Sequence, residues 1–197
     1  MKIKDEMMAG ALDETLKVLR AGGLVLYPTD TVWGIGCDAC NEAAVKKVFA
    51  LKRREDSKSL VLLASSVEMI DSCIEEIPAM AAQLIEVNDA PMTIVYPGAY
   101  DDVLAPSCIA ADKSVGIRIP NSSPFCMALL KAFGRPIVST SANISGEQTP
   151  KSFAEIDAAV LGGVDYVVPR ECEGRSTGRS SQIIKVDVDG SIKVIRG

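Results

Sequence analysis

Ser139-Thr140-Ser141-Ala142-Asn143-Ile144-Ser145-Gly146 sets a row of short hydroxyl and amide groups directly behind an apolar, strand-like run, Pro136-Ile137-Val138. Far upstream, Lys52-Arg53-Arg54 and Lys58 form a cationic cluster at the end of an expected helix. Short donors plus fixed positive charge suit a polyphosphate, which needs hydrogen bonds to its oxygens and neutralisation of its charge. The chain of 197 residues contains no histidine, so nucleophiles activated by a histidine base are excluded.

Working outward from that stretch, Pro124 to Phe133 reads as a helix leading into the strand before Ser139. Leu24-Val25-Leu26-Tyr27 and Leu60-Val61-Leu62-Leu63 read as buried strands, Met92 to Tyr96 as extended, and Val115-Gly116-Ile117-Arg118-Ile119 alternates in strand fashion. Leu12, Leu16 and Leu19 recur at helical spacing ahead of a Gly22-Gly23 stop. Asn41 is a candidate N-cap for a second helix with Val45, Val48 and Phe49 on its apolar face and the cations in its last turn, where the helix dipole favours them. Met69 to Ile74, Met80 to Val87 and Phe153 to Leu161 look helical, and Tyr166 to Val168, Ile183 to Val188 and Ile192 to Ile195 make the end β-rich. Helices and strands alternate, but several strands follow one another directly. That mixture predicts an α/β domain on a mixed sheet rather than a purely parallel one.

The length suits one domain over residues 1–197, with 48% hydrophobic and 24% charged residues. A net charge of −5 with 5% aromatics argues against a general nucleic-acid binder, while leaving room for a local basic patch. No apolar run reaches membrane-span length and MKIKDEMMAG lacks a signal-peptide core, so a cytoplasmic protein without a membrane partner is expected. Cys37 and Cys40 have the spacing of half a zinc site, but the other four cysteines are scattered singly. Free thiols and no metal site are therefore expected.

No P-loop and no G-x-G-x-x-G turn is present. Gly174 to Ser181 is donor-rich but wrongly spaced for a phosphate cradle, and reads as a surface loop. Pro28-Thr29-Asp30-Thr31-Val32-Trp33-Gly34-Ile35-Gly36 combines a carboxylate, hydroxyls and glycines. It reads equally as a ligand loop that allows close backbone approach or as a turn bonded to itself. The Lys52, Arg54 and Lys58 cluster reads, taken alone, as a solvated helix end. Arg118 inside an apolar strand needs an anionic partner, either a core carboxylate or a ligand carboxylate.

With these segments in order, the chain resembles the YrdC-like family of threonylcarbamoyl-adenylate synthases from about Met8 to Gly197. The family pairs a K-x-R element, here Lys52-Arg53-Arg54, with an S-x-N element, here Ser141-Ala142-Asn143. The P-T-[DE]-T-x-x-G-x-G segment runs from Pro28 to Gly36, V-G-[VI]-R-x-P from Val115 to Pro120, and the ending is Val194-Ile195-Arg196-Gly197. The resemblance implies a YrdC-like α/β fold, a twisted mixed sheet flanked by helices with a concave basic cavity, in its single-domain form. It implies that L-threonine, bicarbonate or carbon dioxide, and ATP give threonylcarbamoyl-AMP and pyrophosphate, for the threonylcarbamoyl modification of tRNA. Mg²⁺ is expected to arrive with ATP, and tRNA or the downstream threonylcarbamoyl-transferase complex is a possible partner.

Carried over by position, the resemblance puts Thr31, Arg118, Ser139 and Ser181 at threonine. It puts Lys52, Arg54, Lys58, Ser114, Ser141, Asn143, Thr149 and Arg196 at ATP, with Lys52, Arg54, Ser141 and Asn143 as the catalytic group. The chain departs from the family at Trp33, where tyrosine is common, at Leu63, where many members have histidine, and at Ser180 and Gln182 around Ser181. The alternative function is an RNA-binding or ribosome-maturation protein that uses the same basic cavity without synthase activity.

Overall fold

The computed structural model describes residues 2–53 and 60–197. Helix α1 (Lys2–Arg20) buries Ala11, Leu16 and Leu19 and stops where Gly22 adopts φ +73°. Gly23 then returns its amide to the Val18 carbonyl at 2.9 Å; a Cβ there would lie 2.6 Å from Val18 Cγ1, so the turn requires glycine. Asp165 Oδ2 accepts from the Leu24 amide at 2.7 Å and aims the chain into strand β1 (Val25–Tyr27), which is wholly buried. Strand β2 (Gly34–Gly36) pairs antiparallel with β1. A Cβ on Gly36 would sit 2.6 Å from the Tyr27 ring and 2.9 Å from the Val138 carbonyl, so the absence of a side chain lets two strands close over it.

Asn41 caps α2 (Glu42–Lys52) by accepting from the Ala44 amide at 3.1 Å, and Arg53 ends the helix in the left-handed region at φ 49°. Strand β3 (Val61–Leu63) follows. Helix α3 (Val67–Asp71) begins before the expected Met69, because the Ser66 hydroxyl caps it by accepting from the Met69 amide. Helix α4 (Ala79–Val87), β4 (Met92–Tyr96), β5 (Val115–Arg118), α5 (Pro124–Phe133) and β6 (Ile137–Val138) lie close to their expected places. Strand β7 is Thr140–Ser141. The helix expected over Phe153 to Leu161 is divided into a 3-10 turn, Phe153–Glu155, and α6 (Ala158–Gly162). Asp157 causes the break: its Oδ1 takes the Ala159 amide at 2.7 Å and restarts the helix as a new N-cap. Strands β8 (Tyr166–Val167), β9 (Gln182–Val186) and β10 (Ile192–Arg196) complete the chain.

The strands form two mixed sheets, ordered β7-β2-β1-β8 and β10-β9-β4-β5-β3-β6. Helices α1 and α5 pack together, and α1 also contacts β1 and β8. The sheets meet at Ser139. Strand β6 pairs with β3 of the larger sheet, whereas β7, one residue later, pairs with β2 of the smaller. Val138 donates to the Cys37 carbonyl at 2.9 Å and Ser139 to the Val61 carbonyl at 2.8 Å, so this corner is stitched from both sides. Among the described residues, no helix is long and apolar enough to cross a membrane.

Candidate active site

A cavity of about 180 Å³ opens at this corner. The smaller sheet gives it Gly34, Thr140 and Ser141, the larger sheet Val61, Arg118, Ile183 and Arg196, and the corner gives Ser139. Thr29, Thr31, Val32, Ser180 and Ser181 complete the lining. All four positions assigned to threonine therefore share one cavity with Ser141 and Arg196. Its described lining carries two arginines and no carboxylate.

Arg118 stands at the end of β5, with its side chain 3% exposed. Its Nη1 donates to Asp30 Oδ1 at 2.5 Å and its Nη2 to Thr31 Oγ1 at 3.4 Å; the Asn121 amide donates to Asp30 Oδ2 at 3.3 Å. Of the two partners open to Arg118 in sequence, the structure supplies the core carboxylate, and Arg118 still lines the cavity. Asp30 is the polar core residue that the sequence did not assign. Gly34 lies where a Cβ would come 3.1 Å from Ser139 Oγ, so that glycine keeps the cavity open beside the serine.

The Gly174–Ser181 segment is tied down rather than free. Thr177 and Gly178 donate amides to the Asp30 and Thr31 carbonyls at 3.0 and 2.9 Å, and Ser176 Oγ adds a 2.7 Å bond to the Thr31 carbonyl. It delivers Ser181, whose Oγ lies 2.7 Å from Thr93 Oγ1. Arg196 grips the Ser181 carbonyl with Nε at 3.1 Å and Nη2 at 2.8 Å, and burial lowers its pKa from the usual guanidinium value.

Lys52 of the first hallmark element meets the second. Lys52 is 2% exposed, and its Nζ donates to the carbonyls of Ser141 at 2.5 Å and Asn143 at 2.6 Å. Asn143 Nδ2 donates to the Ile144 and Glu147 carbonyls, both at 2.9 Å, while its buried Oδ1 has no partner among the described residues. Lys52 and Asn143 thus fix the loop that presents Ser141, and Asn143 is left offering an acceptor. Arg54 and Lys58 lie outside the described residues. Thr149 is half-buried in the following loop, away from the cavity lining.

Ser114 lines an adjoining trough of about 630 Å³ that shares Val61 and Ile183 with the first cavity. Its amide and hydroxyl both donate to Asp112 Oδ1, at 3.1 and 2.6 Å, and Asp112 Oδ2 accepts from Lys185 at 2.7 Å. Those bonds, Lys185 first, lower the Asp112 carboxyl from 3.8 to about 2. With the folded pKa below the unfolded one, the stabilisation is present above about pH 4 and disappears as pH falls towards 2. Asp112→Asn should therefore flatten the loss of thermal midpoint between those pH values, more visibly at low salt because the pair is exposed. An unchanged acid limb would exclude the linkage.

Leu63 is fully buried in the core, where many relatives were expected to carry histidine. Trp33 is buried, packs edge-on to Phe153 at 4.9 Å and leaves Nε1 without a partner among the described residues. None of the six cysteines forms a disulfide. Burial pushes Cys40 up to about 11 and Cys108 and Cys126 up to about 12, so these are not thiolates near neutrality. Among the described residues, no cluster of three or more His, Cys, Asp or Glu could hold a metal ion.

A family model described as telomere recombination (Sua5/YciO/YrdC) matches residues 17–197. The chain is 34% identical over 178 residues to a threonylcarbamoyl-AMP synthase of Hahella chejuensis, covering 90% of this chain and 94% of that protein. Among solved structures it is similar to the H234A/Y235A form of P. abyssi Sua5, with TM-score 0.84 and 27% identity over 98% of this chain and 56% of that one. It is similar also to P. abyssi Sua5 complexed with L-threonine, with TM-score 0.79 and 28% identity over 93% and 51% of the two chains. It spans about half the length of these two chains. The mixed sheets, the bonds from Lys52 to the S-x-N element and a match over most of the chain agree: this chain belongs to the Sua5/YciO/YrdC family.

Proposed function

We propose that the chain is an L-threonylcarbamoyladenylate synthase, a nucleotidyltransferase that converts L-threonine, bicarbonate or carbon dioxide, and ATP into threonylcarbamoyl-AMP and pyrophosphate. One observation carries this reading: Thr31, Arg118, Ser139 and Ser181, drawn from four distant segments, line one small cavity together with Ser141 and Arg196. The cavity suits a small amino acid, and the larger adjoining trough, with Ser114 on its wall, suits the nucleotide.

Arg118, oriented by Asp30, would grip the threonine carboxylate. Ser139 and Ser181 would hold the rest of the amino acid. Arg196 and Ser141, on the lining of the first cavity, would face the α-phosphorus as the carbamate oxygen attacks and pyrophosphate leaves. Lys52 and Asn143 would act through the loop they hold, and Arg54, Lys58 and Thr149 would contact the polyphosphate. This chemistry asks for alignment and charge stabilisation more than for a proton-transferring base. Mg²⁺ would enter on the phosphates of ATP; the described lining residues provide no carboxylate set of their own for it, and no step here is assigned to it.

The activated product would be consumed in the cytoplasm by a transferase acting on tRNA adenosine. The test is direct. Incubation with ATP, bicarbonate and threonine should release pyrophosphate and yield the adenylate, and omission of threonine should abolish both. Pyrophosphate release independent of threonine would overturn the reading.

A further inference from the structure

We infer that Thr29 is a specificity-determining residue: it fixes the Thr31 hydroxyl as a hydrogen-bond acceptor towards the cavity and so selects a ligand that donates there. The inference rests on the reading of the cavity as the amino-acid site.

The argument is a proton count. Thr29 is 2% exposed, and its Oγ1 lies 2.7 Å from the Val32 carbonyl, which can only accept. The single hydroxyl proton of Thr29 is therefore committed to Val32. The Thr31 amide donates to Thr29 Oγ1 at 3.1 Å, and Thr31 Oγ1 lies 2.9 Å from the same oxygen. With its own proton in use, Thr29 Oγ1 must accept in both contacts. The Thr31 hydroxyl proton is thereby committed as well. One lone pair of Thr31 Oγ1 faces Arg118 Nη2 at 3.4 Å, and only the other is left for a ligand. The bonds run in one direction: Arg118 to Thr31, Thr31 to Thr29, Thr29 to the Val32 carbonyl. Each strengthens the next in a buried setting.

With the ligand carboxylate on Arg118, an acceptor beside that arginine would face the substituent on the carbon next to the carboxylate. In threonine this is the ammonium nitrogen, and in its carbamate an N–H; both can only donate. A 2-hydroxy acid would present a neutral hydroxyl there, a weaker donor than an ammonium and one that spends its single proton on the contact. Thr29, which does not line the trough proposed for the nucleotide, would thus contribute to choosing an amino acid over its hydroxy-acid counterpart.

The experiment is calorimetry on the full chain with L-threonine, with its 2-hydroxy analogue 2,3-dihydroxybutanoate, and with ATP. The parent should favour threonine by at least about tenfold. Thr29→Val, which keeps the shape and frees the Thr31 proton, should weaken threonine by at least about tenfold and the analogue by no more than about threefold, with ATP affinity unchanged within about twofold. Thr29→Ser should restore the parent preference. Equal weakening of both ligands in Thr29→Val, or no change in either, would overturn the inference. So would a parent that binds both alike, a result that needs no variant to fold. A parent that binds ATP but neither small ligand would overturn the amino-acid site itself, and the inference with it.

Discussion

Arg118→Ala is expected to abolish measurable threonine binding and to lower stability by about 3–5 kcal/mol, because it strands the Asp30 carboxylate in a fully buried position. Asp30 is held by the Arg118 guanidinium and the Asn121 amide, and the second alone leaves a charge without a counter-ion. The two effects separate in Arg118→Lys. Lysine keeps a cation near Asp30 but loses the planar fork that can serve Asp30, Thr31 and a ligand carboxylate together. That variant should fold, with threonine affinity reduced by about 2 kcal/mol, or roughly thirtyfold. Urea unfolding and calorimetry read the two quantities independently. Normal threonine affinity in Arg118→Lys would reduce the arginine to a core ion pair.

The second large effect is expected at Lys52. Lys52→Met preserves the buried stem and removes the donors to the Ser141 and Asn143 carbonyls. The loop carrying Ser141 then loses its fixed position, and pyrophosphate release should fall by about a hundredfold or more, the scale seen when one aimed donor is lost. Two carbonyls left without this donor should also cost about 1–3 kcal/mol each if they stay buried. Threonine binding should fall much less than turnover, since Thr31, Arg118, Ser139 and Ser181 are held by bonds that do not involve Lys52. Full turnover in Lys52→Met with a normal melting curve would place the phosphate chemistry elsewhere.

The contrast between these two cations shows how far the sequence could be read. Helices α2 and α5 were largely legible, α2 from its apolar stripe and capping Asn41 and α5 over Pro124 to Phe133, although α2 stops at Lys52 and Arg53 falls beyond its last turn in the left-handed region. Strands β2 and β7 were not. Gly34-Ile35-Gly36 and Thr140-Ser141 have no apolar alternation, and each is a strand only because a distant segment pairs with it. The same limit applies to the site. The resemblance named Thr31, Arg118, Ser139 and Ser181, and the chain brings them together, but no spacing reveals that Arg118 meets a carboxylate 88 positions away. Thr29 carries a still fainter signal, since its importance depends on where one hydroxyl proton points.

The stitched corner at Ser139 has a kinetic consequence. Its amide is bonded to Val61 of β3 and that of Val138 to Cys37, just beyond β2, so the two amides are held from opposite sides of a buried corner. In hydrogen exchange they should belong to the slowest class, opening only with the whole molecule, whereas Thr177 and Gly178 sit in an exposed loop and should open locally at lower free energy. Heat should then remove the anchoring hydroxyl of Ser139 only when it removes the fold. Reversible losses of ligand affinity at milder temperatures should trace to the 174–181 strap, which can detach and reseat while the corner stays closed.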